Sequence, residues 1–248
     1  MNNAIFCTAG HSGALEYAQK ALADRGIHFI HRKDPDVTHL LLPVPSFEAD
    51  GRIKGGGILE NILADLPEDL TVIGGNLCHP ILQGYKTIDL LQDPLYLAQN
   101  AAITADCAIR VAGAHLPTVF RDCPVLVIGW GRIGKCLSTI LKKMDCRVTV
   151  AVRKESDRCM LAAFGFQSIL IPQIPEFLQE FRLIFNTVPA TVLEEAQLRG
   201  CRPDRILIEL ASKPGLCGAS VISALGLPGK YAPEASGVLI AERILDIL

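Results

Sequence analysis

What limits the possible folds of this chain most is a run of apolar residues that passes without a gap into a glycine turn. Pro124-Val125-Leu126-Val127-Ile128 leads directly into Gly129-Trp130-Gly131-Arg132-Ile133-Gly134. A short continuous apolar run is what a strand covered on both faces of a parallel sheet requires. In a G-x-G-x-x-G turn the first glycine permits the tight bend. The second lets the backbone approach a pyrophosphate, and the third lets helix and strand pack closely. The amphipathic stretch from Arg132 to Met144 reads as the following helix, whose free N–H groups and positive dipole end aim at phosphate. A glycine triplet alone also fits a tight turn that holds nothing. The strand before and the helix and second strand after it favour a dinucleotide site at Gly129, Trp130, Gly131, Arg132, Ile133 and Gly134.

The second strand, Arg147 to Val152, bears on which dinucleotide is bound. An NAD-selective site places an Asp or Glu near the end of that strand, on the ribose 2′-hydroxyl. Here the strand runs into Arg153-Lys154. Without the acid, a 2′-phosphate is not repelled, and Arg153 can pair with it and stack on adenine. Lys154 and Ser156 add donors. The expected cofactor is NADP, with NAD as the alternative; the plainer reading of Arg153 and Lys154 is a pair of solvated loop charges.

Composition narrows the remaining classes. Half of the 248 residues are apolar and the formal net charge is −2. Neither a nucleic-acid surface nor a disordered tail is expected. No apolar run reaches the length of a membrane span. Met1-Asn2-Asn3 leads into Ala4-Ile5-Phe6-Cys7 without the basic start and long apolar core of a signal peptide. A cytoplasmic protein with no membrane partner is expected. The nine cysteines are scattered, with no C-x-x-C pair. That spacing fits neither a metal site nor a disulfide framework, so most are expected to be small buried fillers.

Alternating strand and helix patterns run the length of the chain, which implies layered parallel α/β architecture. The expected fold class is α/β, with a Rossmann dinucleotide-binding domain and a smaller flavodoxin-like or Rossmann-like N-terminal domain, the active cleft lying between them. The expected divisions are 1–94, a bridging helix and linker over 95–122, and 123–248 with a C-terminal helix. In the first part, strands are read at Ala4 to Cys7, Ile27 to Ile30, Val37 to Leu42 and Thr71 to Ile73. Helices are read at Ala14 to Arg25 and Ile58 to Leu66. Ligands sit beyond the carboxyl ends of such strands, which singles out Thr8 to Ser12, Pro43 to Ser46 and Gly74-Gly75-Asn76.

The helix-like run from Leu95 to Ala112 carries Asn100 and Thr104 on one face, with Asp106 nearby and His115 after it. These side chains either face substrate or pair structurally. Farther on, Leu183 to Pro189 and Arg205 to Lys213 read as strands with exit loops along the nicotinamide edge. Asn186, Thr187, Val188 and Pro189 are therefore cofactor candidates. Glu209 is either the partner of an arginine or a solvated charge. Leu227 to Glu234 reads as a rigid loop and Ala235 to Leu248 as a final helix packing on the first domain.

Taken in order, several pieces resemble the A subunit of dipicolinate synthase, within the formate and D-2-hydroxyacid dehydrogenase-like superfamily. They are the glycine turn at 129–134, Ala151-Val152-Arg153, Asn186-Thr187-Val188-Pro189, Leu210-Ala211-Ser212-Lys213-Pro214-Gly215, and Leu227-Pro228-Gly229 through Ala232-Pro233 and Gly237. Upstream, Leu41-Leu42-Pro43-Val44 and Asn100 with Thr104-x-Asp106 also fit. The likeness is close from about residue 95 onward, and the family's first domain is normally longer. The family usually has Arg where Lys213 stands, a second glycine where Leu216 stands, and Glu-Gly where Asp106-Cys107 stands.

The resemblance implies NADP-dependent oxidation of a dihydrodipicolinate to the aromatic pyridine dicarboxylate. It implies a flavoprotein-like second subunit of dipicolinate synthase as partner, and a homo-oligomer linked to sporulation. For such a substrate, Lys213 and the backbone N–H groups of the Gly74-Gly75-Asn76 loop are the candidate carboxylate anchors, with Ser212 a further substrate contact. Asn100 and Thr104 are further substrate contacts, and Asp106 or His115 the proton acceptor. A 2-hydroxyacid dehydrogenase is the runner-up. Its chemistry wants a late histidine as acid and base, and no histidine follows His115. A cofactor-binding regulatory protein without turnover is the third reading.

Overall fold

A computed structural model describes residues 4–199, 204–218 and 220–248; the Met1-Asn2-Asn3 lead and Cys201 fall outside them. The chain forms two compact units, Met1–Ile103 with Pro228–Leu248, and Thr104–Leu227. The division falls within the helix Pro94–His115, and the last helix belongs to the first unit.

In the first unit the strands are β1 (Ile5–Thr8), β2 (His28–Phe29), β3 (His39–Leu41), β4 (Thr71–Gly74) and β5 (Lys86–Asp89). The helices are α1 (Gly13–Ala23), α2 (Leu59–Leu63) and the start of α3 (Pro94–His115), which runs on into the second unit. All strand pairs are parallel, in the order β2-β1-β3-β4-β5. That is the flavodoxin-like winding. Alternation along the strands sorts the core into two faces. Phe6, Leu41 and Ile73 pack with α1, while Cys7, Leu40, Leu42 and Val72 pack with Leu59, Ile62 and Leu63 of α2. Sequence reading missed β5, an edge strand with no residue fully buried, because an edge carries no continuous apolar run.

The second unit contains β6 (Pro124–Ile128), α4 (Arg132–Lys143), β7 (Arg147–Val152), α5 (Glu155–Ala163), β8 (Gln167–Leu170), α6 (Ile174–Phe177), β9 (Leu183–Asn186), α7 (Glu195–Arg199), β10 (Ile206–Glu209) and β11 (Val221–Ser223). Its strands are parallel, in the order β11-β10-β9-β6-β7-β8. This is the doubly wound order of dinucleotide-binding domains, with its reversal between β6 and β9. Val125 to Ile128 and Ile184 to Phe185 are wholly buried. The expected layered parallel α/β architecture is therefore present in both units. Sequence reading missed β11, another edge. It also missed α5, in which Leu161 alone is buried, too faint an apolar stripe to detect.

The stretch expected as a rigid loop at 227–234 is instead helical. It forms α8 (Leu227–Tyr231) followed by α9 (Pro233–Ile247). Pro228 lies in the first helical turn, where its missing N–H costs nothing. As expected, α9 packs on the N-terminal part. It lies on α1, where Gly237 leaves no room for a Cβ against Ala14 O, Ala18 N and Tyr17 Cβ. Asp93 also holds α9, with Arg243 Nε and Nη2 each 2.7 Å from its Oδ2.

Of the described cysteines, Cys7, Cys107, Cys123 and Cys146 are buried, and burial pushes the Cys7 and Cys146 thiols up to about 11. Cys78, Cys159 and Cys217 are exposed, so the filler expectation fails for those three.

Candidate functional site

The glycine turn sits where the strand order of the second unit reverses. Gly129 has φ +104°, and a Cβ there would collide with Thr187 Oγ1; one on Gly134 would collide with Gly129 O. Both positions therefore demand glycine for internal reasons. Gly131 is different: it is exposed, and a Cβ on it would meet nothing within 4 Å. It also occupies the N-cap of α4, where no side chain caps the helix. The first amides of α4 thus remain available at an open glycine, which suits a phosphate.

Two hollows flank this turn. One, of about 300 Å³, is lined by Gly129, Trp130, Gly131, Val152, Arg153, Asp157 and others. The second, of about 680 Å³, is lined by Gly131, Arg132, Ile133, Lys135, Leu210, Ala211 and Ser212. Thr187 and Pro189 border both. A dinucleotide needs such a layout, with its pyrophosphate at the turn and one nucleoside on either side. Thr187 is turned inward, its Oγ1 donating to Ile128 O at 2.8 Å.

Arg153 and Lys154 are exposed just past the end of β7. Arg153 borders the smaller hollow and so does Asp157, a carboxylate on α5 that the sequence reading did not single out. No motif flagged it, because it falls five residues beyond the strand, on a helix that carries little pattern.

The Asn186 and Glu209 expectations need correction. These residues are register partners at the ends of β9 and β10, and their exposures are 0% and 2%. Asn186 Nδ2 donates to Glu209 Oε1 and Oε2 at 2.9 and 3.0 Å and to Val188 O at 3.0 Å, while Val188 N donates to Asn186 Oδ1. Glu209 also accepts from the backbone N–H groups of Ala211, Gly215 and Leu216 at 2.9, 2.7 and 3.0 Å. Glu209 is thus neither solvated nor an arginine's partner, and Asn186 has no group left for a nicotinamide or ribose. Together they clamp the 186–190 and 210–216 loops that border the larger hollow. Ser212 and Lys213 stand exposed on the second of these loops.

The Gly75-Asn76 expectation is also corrected. The Gly75 N–H goes to Ser46 Oγ at 2.9 Å, while Asn76 and Leu77 donate to the Asp89 carboxylate at 3.0 and 2.9 Å. Those backbone donors are consumed by the fold and cannot anchor a substrate carboxylate. Asn100 and Thr104 lie one turn apart on α3, Thr104 buried, and each has a polar partner already. Asp106 and His115 are both exposed. Nine residues apart on one helix, they project to opposite sides, so one substrate cannot meet both.

Among the described residues no three His, Cys, Asp or Glu side chains cluster as metal ligands. No described helix is long and apolar enough to cross a membrane.

No family model matches the chain. It is 23% identical over 171 residues to the A subunit of dipicolinate synthase from Bacillus subtilis (strain 168), a match covering 66% of this chain and 58% of that protein. The crystal structure of the A subunit of dipicolinate synthase from Bacillus halodurans superposes with a TM-score of 0.86 at 20% identity, covering 99% of this chain and 97% of that one. A transhydrogenase from Sinorhizobium meliloti gives 0.72 at 11% identity, covering 98% and 92%. The resemblance carried by the motifs therefore extends to the sequence match and to the fold.

Proposed function

We propose that this chain is an NAD(P)-dependent oxidoreductase of the dipicolinate synthase kind, oxidising a dihydrodipicolinate with NADP. The observation that carries the reading is the open Gly131 at an uncapped helix start between two hollows. When bound, the nicotinamide cofactor supplies the hydride acceptor. The amides at the start of α4 hold its pyrophosphate, and Arg153 with Lys154 meets the 2′-phosphate. The Asn186–Glu209 clamp keeps the loops bearing Val188, Pro189 and Ser212 in place.

The substrate ring loses a hydride to the cofactor and a proton to a base, and the bonding pair left by the proton completes the aromatic pyridine. Lys213 and Ser212 serve as anchors for a substrate carboxylate. The proton acceptor is Asp106 or His115, of which only one can face the substrate because they project to opposite sides of α3. A flavoprotein-like second subunit, assembly as a homo-oligomer and a cytoplasmic location complete the reading. A 2-hydroxyacid dehydrogenase is disfavoured because no histidine follows His115.

The test is fluorescence titration with NADPH and NADH, then an absorbance assay with dihydrodipicolinate, with and without the second subunit. Wild type is expected to prefer NADPH, and Arg153→Asp to lose that preference. Because Asp157 shares the hollow, Asp157→Asn should strengthen it. Equal affinities in wild type would remove the 2′-phosphate assignment, and failure to bind either nucleotide would remove the redox reading.

A further inference from the structure

A third depression lies in the second unit and adjoins the two hollows, sharing Trp130 and Asp157 with the smaller and Lys135 with the larger. It is a trough of about 730 Å³ between α4 and α5, lined by Trp130, Lys135, Lys142, Lys143, Met160, Phe164 and their neighbours. We propose that it docks an amphipathic helix of a second polypeptide, with acidic residues along the flank that faces α4.

The floor is aromatic. Trp130 and Phe166 meet edge to face with centroids 5.6 Å apart. Met160 and Phe164 stand 52% and 57% exposed along the same trough. One such residue on a surface means nothing, but four gathered in a single depression form an apolar patch of the kind that marks an interaction site.

The length fits a helix. Lys135 to Lys143 spans about 12 Å of α4, and Asp157 to Phe164 about 10 Å along α5. Both walls are therefore about two turns long, which accommodates apolar anchors at i, i+3 or i+4, and i+7.

The rim fixes the partner's charge and its orientation. The α4 wall carries Lys135, Lys142 and Lys143, whereas the α5 wall contributes Asp157. Lys142 is committed locally, its Nζ donating to Phe164 O and Gly165 O at 2.9 and 2.8 Å while lying 4.5 Å from the Phe166 ring centroid. It holds the end of the trough in shape. Lys135 leans over Trp130 at 5.9 Å, and Lys143 is exposed. These two cations, spaced about two turns apart, call for acidic side chains at matching spacing on the incoming helix. A small planar anion would reach only one of them.

The chain's single tryptophan borders this trough and the smaller hollow, so with nucleotide absent its emission reports occupancy of the trough. The probes are two synthetic helical peptides with Leu at i, i+4 and i+7, one flanked by Glu and the other by Lys. The full chain, free of nucleotide, is titrated with each. Saturable binding is expected for the Glu peptide and none for the Lys peptide. Lys143→Glu should weaken the Glu peptide about tenfold, as exchange of an attractive rim charge for a repulsive one does. Phe164→Ala and Met160→Ser, at positions too exposed to support the core, should each weaken it comparably while leaving the unfolding midpoint unchanged. None of these three positions borders the nucleotide hollows, so NADPH affinity measured on the same variants should stay at the wild-type value and separates this proposal from the nucleotide reading. Equal binding of both peptides, binding of neither, or a concentration-dependent dimer that Phe164→Ala abolishes would each overturn the proposal.

Discussion

Removing the Glu209 carboxylate should weaken the second unit more than any other single polar change described above. Four donors converge on it: Asn186 Nδ2 and the backbone N–H groups of Ala211, Gly215 and Leu216. Each donor left buried without a partner costs about 1–3 kcal/mol. Glu209→Ala strands all four but opens space for water, so a net loss of roughly 3–5 kcal/mol is expected. Glu209→Gln keeps the volume and one oxygen. That oxygen can serve the Gly215 and Leu216 side, but the new amide then faces Ala211 N–H, a donor against a donor, for a loss of about 1–3 kcal/mol. In a unit of about 120 residues, 1 kcal/mol moves the midpoint by roughly 3–5 °C. The assay is urea unfolding followed by Trp130 emission, which belongs to the second unit and so avoids mixing the two transitions. A cycle with Asn186→Ala should show clear non-additivity, since the two side chains share hydrogen bonds. Unfolding free energies for both Glu209 variants within about 0.5 kcal/mol of wild type, or strict additivity with Asn186→Ala, would refute the clamp.

Gly131→Ala should leave stability within about 1 kcal/mol, because its Cβ meets nothing, yet lower nucleotide affinity about tenfold by crowding the phosphate approach; calorimetric titration beside a melt separates the two effects. Gly237→Ala should destabilise the first unit by about 1–3 kcal/mol through overpacking of α9 on α1, read as an earlier far-ultraviolet circular dichroism transition. Burial, and secondarily the Lys86 charge, lowers the His39 pKa, and its ring stacks on Phe6 at 4.7 Å. The fold therefore favours neutral His39. Its contribution is complete above about pH 6.5 and fades as pH falls through the lowered folded value. Unfolding of the first unit measured from pH 8 to 5 should lose stability over that range, and less so in His39→Gln.

Much of this molecule was legible in the chain because buried parallel strands are written as uninterrupted apolar runs. β6 and β7 were read almost to the residue, and the turn at 129–134 followed from strand, glycines and helix together. Strands β5 (Lys-Thr-Ile-Asp) and β11 (Val-Ile-Ser) escaped notice because each is short and carries at most two adjacent apolar residues. At the site the sequence supplied residue types but not their partners. Asn186 sits where a cofactor contact belongs, and only the register with β10 reveals that Glu209 consumes it. Gly75 and Asn76 look like free amides until Ser46 and Asp89, 29 and 13 residues away, are seen to accept from them. Long-range pairing of this kind leaves no local trace.

The placement of α9 has a consequence for how the polypeptide matures. A ribosome delivers every strand of the N-terminal sheet before the 104–227 segment, yet the helix that seals α1 only after it. The 104–227 segment can therefore reach its native state while Ala14, Leu15, Ala18 and Leu22 still wait for Leu239, Ile240 and Ile244 to cover them. During synthesis the N-terminal half is the late finisher, and nascent-chain chaperones have their clearest target on α1.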